Sequence, residues 1–579
     1  MRRREGGART GRGVGVLRVV VVGLMVTLVG RLWFLQVVSG DRYVRAAAGV
    51  SVRTVALAPL RGQILDAAGR PLVANRTVPV VSVDGVALAH QADGGRAVLG
   101  RLAAALRQPY GRLAGKIRMC GPGVARPCWP GSPYEPIPVA DAVPVQVALQ
   151  ITERQADFPG VTTELRPIRV YPYGRAAGHT LGYLQAGVGR DGLEAVYDRD
   201  LAGRPGRRVV AVDNAGNVTR VVGQDPATAG NSLVTSLDAR IQVIAERALA
   251  TALARTGGTS GAAVVLESAT GRVAALAGYP GYDPSVWTGG VTAGQYAGLQ
   301  LLSRAVQGQW APGSTWKVAS VAAAANAGYR LDARYGCPSG YTVGDRLFRN
   351  FGSADLGTMT MRGALVKSCD TVFYRIADEL WRRGSDVPRR TATGFGFGAR
   401  TGIDLPGEAV GAVPAASARP GDAANFAIGQ GGVLVTPLQL ARAYAALANG
   451  GTLYAPRVGE RVVRPDGTTV RSIVPPVTGR LPASAATLAF IRGALSDVPR
   501  SGTASAAFKG FPFGRIAVAG KTGTAESAGH RDTSWFASFA PDPAYTVVVV
   551  LSEGGRGAQG AAPAARQIWE GIDGLRETR

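Results

Sequence analysis

From Val19 to Val38 the chain reads VVVVGLMVTLVGRLWFLQVV, apolar on every face of a helix and about the 20 residues needed to cross a bilayer. Arg31 is the one charge in that run. Near a helix end a guanidinium reaches the interface at modest cost, so a tilted span over residues 13–38 is expected. Arg2, Arg3, Arg4, Arg9, Arg12 and Arg18 lie on its N-terminal side. A basic flank stays inside, which makes residues 1–12 a cytoplasmic tail and exports everything after Ser39. The apolar region is long, lacks a small-residue cleavage site and runs straight into WFLQVVSGDRY, the pattern of an uncleaved anchor rather than a signal peptide.

Beyond the anchor the periodicity breaks up. Between Tyr43 and about Arg220 there are short β-rich pieces such as VPVVSVDG, one helical stretch AVLGRLAAALRQ, and turns at DAAGRP and PYGR. No catalytic cluster falls there, and the region reads as a pedestal or interaction module. The texture changes at GQDPATAGNSLVTSLDARIQVIAERALATALA, where a Gly/Asn turn and a strand lead into an amphipathic helix capped near Ser236 or Asp238. A domain boundary is expected there. GAAVVLESATGRVAALAG follows as a hairpin, then helical segments to about Leu380. The C-terminal part returns to strands in RIAVAGKTGT, TSWFASFAP and YTVVVVLSEG and closes with a helix in APAARQIWEGI. Strands, a helical middle, strands and a final helix predict an α/β domain with an antiparallel sheet.

Composition sharpens this only in places. The 579 residues exceed one core, and 46% hydrophobic against 18% charged is a folded chain. The net charge of +25 is carried by scattered arginines, not one basic stripe, so an envelope or membrane surface suits it better than nucleic acid. The lysines are Lys116, Lys317, Lys367, Lys509 and Lys521. Lysine sheds its proton when desolvated and arginine does not, so lysine kept against an arginine bias hints at proton chemistry. Cys120 and Cys128 flank the loop GPGVARP and could close as a disulfide after export; Cys337 and Cys369 could pair as well.

In QWAPGSTWKVASVAAAANAG, Ser314 and Lys317 stand at i and i+3 of a helix expected to start after Pro312-Gly313. A desolvated lysine there can take the serine proton, and the helix N-terminus favours the developing charge. By itself S-x-x-K is common and more often a solvated helix start. Two companions change its weight: Ser368 in VKSCDTVFY, and Lys521 in GKTGTAE after the expected strand RIAVA. The rival readings fail on detail. GRIAVAGKT misplaces Gly514 by one residue for a phosphate loop and reads as a strand, while GFGFGARTG lacks a following helix. The three histidines, His90, His179 and His530, come without a nucleophile elbow or clustered zinc ligands.

The order S-x-x-K, S-x-N/D, K-T-G resembles the active-serine signature of penicillin-binding proteins and serine β-lactamases. The likeness runs along nearly the whole chain: RLWFLQVVSGDRY, PLRGQILDAAGRPLVAN, GLEAVYDRDLAG, GFGFGARTGIDLPGE and NFAIGQGGVLVTPLQLARAYAALANGG resemble class B penicillin-binding proteins, here of the elongation-type penicillin-binding protein 2 kind and actinobacterial in character. That resemblance implies a β-rich dimerisation or pedestal domain at 53–206 and a transpeptidase domain at 230–579 with a β-lactamase-like antiparallel sheet and helical subdomain. It implies Ser314 as the nucleophile that attacks a D-Ala-D-Ala stem peptide and Lys317 as its base. Ser368 would relay protons towards Lys521. Thr522, with Gly523, Thr524 and Asp370, would line the substrate site, and the backbone N–H groups of Ser314 and Thr524 would form the oxyanion hole. No cofactor or metal is implied. The partners implied are stem peptides, inhibitory β-lactams and a multi-span membrane glycan polymerase. Asp370 departs from the generic asparagine, and S-x-D resembles the elongation-type members. A D,D-carboxypeptidase, a membrane-anchored β-lactam sensor and a serine β-lactamase remain alternatives from the same motifs.

Overall fold

The computed structural model describes residues 10–39, 41, 52–125, 128–131, 135–185, 187–212, 218–287, 293–415 and 418–577. Arg2, Arg3, Arg4 and Arg9 of the expected cytoplasmic tail lie outside them. The apolar run forms helix α1 (Thr10–Trp33), continued by a wider helical turn at Phe34–Val38. Gly15–Val38 is long and apolar enough to span a membrane, and none of that stretch is buried by the rest of the protein.

Residues fall into two compact units, the first comprising Met1–Pro59, Thr77–Arg166 and Arg204–Thr228, the second Leu60–Arg76, Pro167–Gly203 and Ala229–Arg579. In the first, strands Val52–Leu57, Gly206–Val212 and Val218–Asp225 form an antiparallel sheet. Its separate apolar core gathers Val81, Val83, Leu99, Leu102, Leu113, Val139 and Ile151. Helices Tyr110–Ile117 and Val145–Glu153 are not evident in the sequence, because each is short and starts at a proline turn instead of a polar cap. Cys120 and Cys128 are disulfide-bonded.

The second unit is built on five antiparallel strands: β1 (Ser260–Glu267), β2 (Val273–Tyr279), β3 (Ala519–Ser527), β4 (His530–Phe539) and β5 (Tyr545–Ser552), in the order β2-β1-β5-β4-β3. Its helices include α2 (Ala239–Thr256), α3 (Lys317–Asn326), α4 (Met361–Lys367), α5 (Asp370–Arg382), α6 (Pro437–Ala448), α7 (Ala485–Ser501) and α8 (Ala561–Glu577). Both faces of the sheet are buried. Val264, Trp535, Val548 and Val550 join the core shared with α3, α5 and α6; Val265, Phe536, Val547 and Val549 pack with Leu249 of α2 and Trp569 of α8. This explains the unbroken YTVVVV run, since a strand covered on both sides has no polar face to show. Asp238 caps α2, its carboxylate accepting from the Arg240 N–H.

One expected strand starts later than its composition suggests. Residues 515–518 of RIAVAGKTGT are outside the sheet: the N–H groups of Arg515 and Ile516 turn back on the Pro512 carbonyl, and Ile516 and Val518 are apolar because they fill the core. The strand begins at Ala519 and is paired with β4 from Ala519 to Ala525.

A buried ionic cluster stabilises this unit. Glu194 is fully buried and accepts from Arg61 at 2.7 Å and Arg169 at 2.8 Å. Glu194→Ala would remove the carboxylate both guanidiniums share, leaving Arg61 with Asp198 and Arg169 with Asn75; breaking a buried pair costs about 3–5 kcal/mol. Urea unfolding should read that loss; unchanged stability would show that the cluster contributes nothing net.

Candidate active site

Three close backbone approaches shape the turn that carries Ser314. Gly313 has φ +52°, and a Cβ there would meet the Thr524 carbonyl oxygen at 2.4 Å. Gly523 on the edge strand β3 faces back, its added Cβ meeting the Pro312 oxygen at 2.7 Å. Gly429, also at positive φ, accepts from the Gly313 N–H at 3.0 Å. Side chains complete the cradle: the Tyr444 hydroxyl donates to the Thr315 carbonyl at 2.9 Å and the Trp535 indole to the Ala311 carbonyl at 2.9 Å. So held, Gly313–Trp316 winds as a single 3₁₀ turn and the α-helix proper begins at Lys317. This corrects the expectation that Ser314 opens the α-helix. The alanines of α3 are explained by burial, because Val318, Ala319 and Val321–Ala324 are all in the core.

Ser368 sits between α4 and α5 at φ +61°, a left-handed conformation that costs a non-glycine residue about 1–3 kcal/mol unless its surroundings enforce it. They do. Lys317 Nζ donates to the Ser368 carbonyl at 2.8 Å, to its Oγ at 3.2 Å and to Asp370 Oδ1 at 2.5 Å. From the other side Lys521 Nζ donates to the same Oγ at 2.9 Å and to the Thr522 carbonyl at 3.2 Å. Both lysines are 0% exposed. Among these contacts none runs from Lys317 to Ser314 Oγ; the ammonium is turned to Ser368 and Asp370 instead.

Burial lowers the pKa of Lys317, while the Asp370 carboxylate opposes the shift. Burial drives Lys521 well below its ordinary value and the neighbouring Lys317 charge adds to that, against a weaker pull from Asp370. Two ammoniums sharing one hydroxyl in a buried site disfavour each other, so the pair gives up the first of its two protons readily.

The candidate site residues Ser314, Lys317, Ser368, Asp370, Lys521, Thr522, Gly523 and Thr524 lie on the turn, helix starts and edge strand just described. Thr522 Oγ1 is 2.6 Å from Thr503 Oγ1, and Thr524 Oγ1 accepts from the Gly557 N–H at 3.0 Å. Lys521, Thr522, Gly523 and Thr524 occupy β3 at the sheet edge. Sequence reasoning missed Asn350, Gly429, Tyr444 and Trp535. Gly429 and Tyr444 lie in the quoted stretch NFAIGQGGVLVTPLQLARAYAALANGG and Trp535 in the expected strand TSWFASFAP, but nothing local marks their contacts with the Ser314 turn; Asn350 lies in no such stretch.

With the geometry in place, comparison with known proteins is direct. Residues 261–570 match the penicillin binding protein transpeptidase domain and residues 56–235 the penicillin-binding protein dimerisation domain. The peptidoglycan D,D-transpeptidase MrdA of Acinetobacter baumannii is 32% identical over 473 residues, covering 73% of this chain and 68% of that protein. A chain of a peptidoglycan synthase complex, studied for the coordination of polymerization and crosslinking, superposes with a TM-score of 0.70 at 28% identity over 98% of this chain and 99% of that one. Penicillin-binding protein PBP2 of Helicobacter pylori, solved with MreC, shares the fold with a TM-score of 0.74 at 23% identity, over 90% of this chain and 99% of that one.

Proposed function

The chain belongs to the penicillin-binding protein transpeptidase family, as a class B member of the elongation type, and we propose that it cross-links peptidoglycan stem peptides through an acyl-enzyme on Ser314. The observation that carries this reading is the pair of buried lysines meeting at one serine hydroxyl beside the Ser314 turn. Ser314 Oγ attacks the penultimate D-Ala carbonyl, the C–N bond to the last D-Ala breaks, and an amine from a neighbouring stem then displaces Ser314. Penicillins and other β-lactams acylate the same oxygen.

Proton traffic follows from the hydrogen bonds. The contact with Asp370 retains the proton on Lys317, whereas Lys521 has no hydrogen-bonded carboxylate among the described residues and is the more readily neutral. A substrate carboxylate arriving beside Lys521 and Thr522 favours an ammonium on Lys521. The proton then passes from Lys317 through the Ser368 hydroxyl, leaving Lys317 neutral to act as base for Ser314. Substrate binding thereby arms the base. Backbone N–H groups of Ser314 and Thr524 receive the oxyanion, fixed donors worth about 2.7–4 kcal/mol in such reactions. The N-terminal helix anchors the chain with its N-terminus in the cytoplasm and the catalytic unit outside. A multi-span membrane polymerase supplies nascent glycan, in keeping with the complexes in which its structural relatives occur.

The test is a purified chain given a D-Ala-D-Ala stem peptide and a second stem with a free amine. Cross-linked dimer with release of D-Ala is expected; release of D-Ala with hydrolysis alone would make it a carboxypeptidase. In the cell, depletion should alter cell width before septation, and filaments of normal width would overturn the elongation role.

Asp370→Asn has a definite pH consequence. The carboxylate raises the Lys317 pKa, so its removal lowers it and a larger fraction of Lys317 is neutral at a given pH. The acidic limb of the penicillin acylation profile should move to lower pH. A limb that stays in place or rises would exclude Lys317 as the titrating base.

A further inference from the structure

The middle residue of the S-x-D motif is Cys369, and it is disulfide-bonded to Cys337. Its neighbours on either side, Ser368 and Asp370, both hold the Lys317 ammonium. Cys337 ends a strand, Arg334–Cys337, paired antiparallel with Gly357–Thr360. The covalent link therefore fastens the turn between α4 and α5 to a two-stranded ribbon outside the main sheet.

A second fastening converges on the same turn. Asn350 is buried, and its Oδ1 accepts from the backbone N–H groups of Asp370 at 2.9 Å and Thr371 at 3.1 Å. Its Nδ2 donates to the carbonyls of Pro338 at 2.8 Å and Ala354 at 2.9 Å. The Thr371 hydroxyl also donates to the Pro338 carbonyl at 3.1 Å. One amide thus ties the start of α5 to the residue that follows Cys337. The hydrogen bonds of Asn350 run to this turn, to Pro338 beside Cys337 and to Ala354.

We propose that Asn350 and the Cys337–Cys369 disulfide are positioning residues for acyl transfer, holding the Ser368–Cys369–Asp370 turn against the two lysines so that a competent site forms only in the disulfide state. The inference rests on the acyl-transfer reading above and adds an oxidation requirement to it. Ser368 needs such holding because its left-handed backbone is disfavoured and would relax once released. Both sulfurs are buried, Cys337 at 0% and Cys369 at 1% exposure. Closure is therefore a maturation step taken before the domain packs, not a switch thrown in the folded enzyme. The two thiols lose two electrons and two protons to a thiol–disulfide oxidoreductase in its disulfide form, which leaves as the dithiol. Cys120–Cys128 belongs to the first unit and supplies an internal control.

The experiment uses the full chain in detergent micelles and reads the rate and pH profile of fluorescent penicillin acylation, with thermal unfolding measured separately. The C120S/C128S protein should keep the wild-type rate. C337S/C369S and N350A should each lose on the order of 10²-fold, the cost of a misplaced catalytic group, with a displaced pH profile because Lys317 loses its fixed partners. N350D retains the acceptor for the two N–H groups and should fall between. Lower thermal stability with an unchanged rate and pH profile would reduce these residues to structural ones and overturn the proposal. Should C337S/C369S not fold, wild-type protein unfolded in urea and refolded either with dithiothreitol or with oxidised glutathione, its thiols counted by mass, replaces it. Acylation absent from the protein refolded without the Cys337–Cys369 bond and present in the protein refolded with it supports the proposal; full acylation with both thiols free overturns it. If oxidised wild type takes up no penicillin at all, the acyl-transfer reading itself fails, a result distinct from a redox-insensitive enzyme.

Discussion

Ser314→Ala protein should gain no mass from penicillin under conditions in which the wild type is stoichiometrically acylated. The acyl bond is to Oγ, and the other serine of the centre is engaged elsewhere: Ser368 Oγ accepts from both lysines. Alanine fits the 3₁₀ turn, whose contacts are made by the backbone and by Thr315 and Trp316, so folding should be unaffected. Intact-mass spectrometry decides the matter. An adduct on the variant would remove Ser314 from the mechanism.

Lys317→Arg should lower acylation by about 10²–10⁴-fold, the range for losing a general base, while far-UV circular dichroism shows a folded chain. Arginine holds its proton at any working pH and so cannot accept one from Ser314. It also carries a planar fork into a fully buried site shaped for a point donor with three acceptors, at Ser368 O, Ser368 Oγ and Asp370 Oδ1. Lys521→Arg should be less severe in acylation by a small β-lactam than Lys317→Arg, since Lys521 acts one hydroxyl removed from Ser314. Stopped-flow acylation of both proteins checks the order, and near wild-type rates for Lys317→Arg would dismiss it as the base.

Much of this centre was legible because its chemistry is carried by short motifs with local geometry. Ser314 and Lys317 are one turn apart in any helical conformation, and Lys521 to Thr524 are consecutive residues of one strand. The hairpin β1–β2, the Asp238 cap and the helix α8 were legible for the same reason: periodicity and capping are properties of neighbours in sequence. What escaped depends on distant segments. Residues 515–518 have the composition of a strand, but their apolar side chains answer to core packing and a turn at Pro512, which periodicity does not distinguish from pairing. The 3₁₀ turn at Ser314 is imposed by Gly429, Tyr444 and β3, three separate parts of the chain. Asn350 is a single amide with no motif about it, and its hydrogen bonds to Pro338, Ala354, Asp370 and Thr371 exist only after the fold has closed.

The contact between Gly313 and Gly523 bears on how this enzyme could evolve under drug selection. Backbone meets backbone there so closely that any added carbon would strike the Thr524 carbonyl from one side or the Pro312 carbonyl from the other. Neither glycine can mutate without pushing the nucleophile's turn off the strand that serves it, and the enzyme would lose its physiological substrate together with the antibiotic. Resistance at this target is thus closed off at its centre, and selection for poor acylation should return substitutions at the rim of the cleft while both glycines stay fixed.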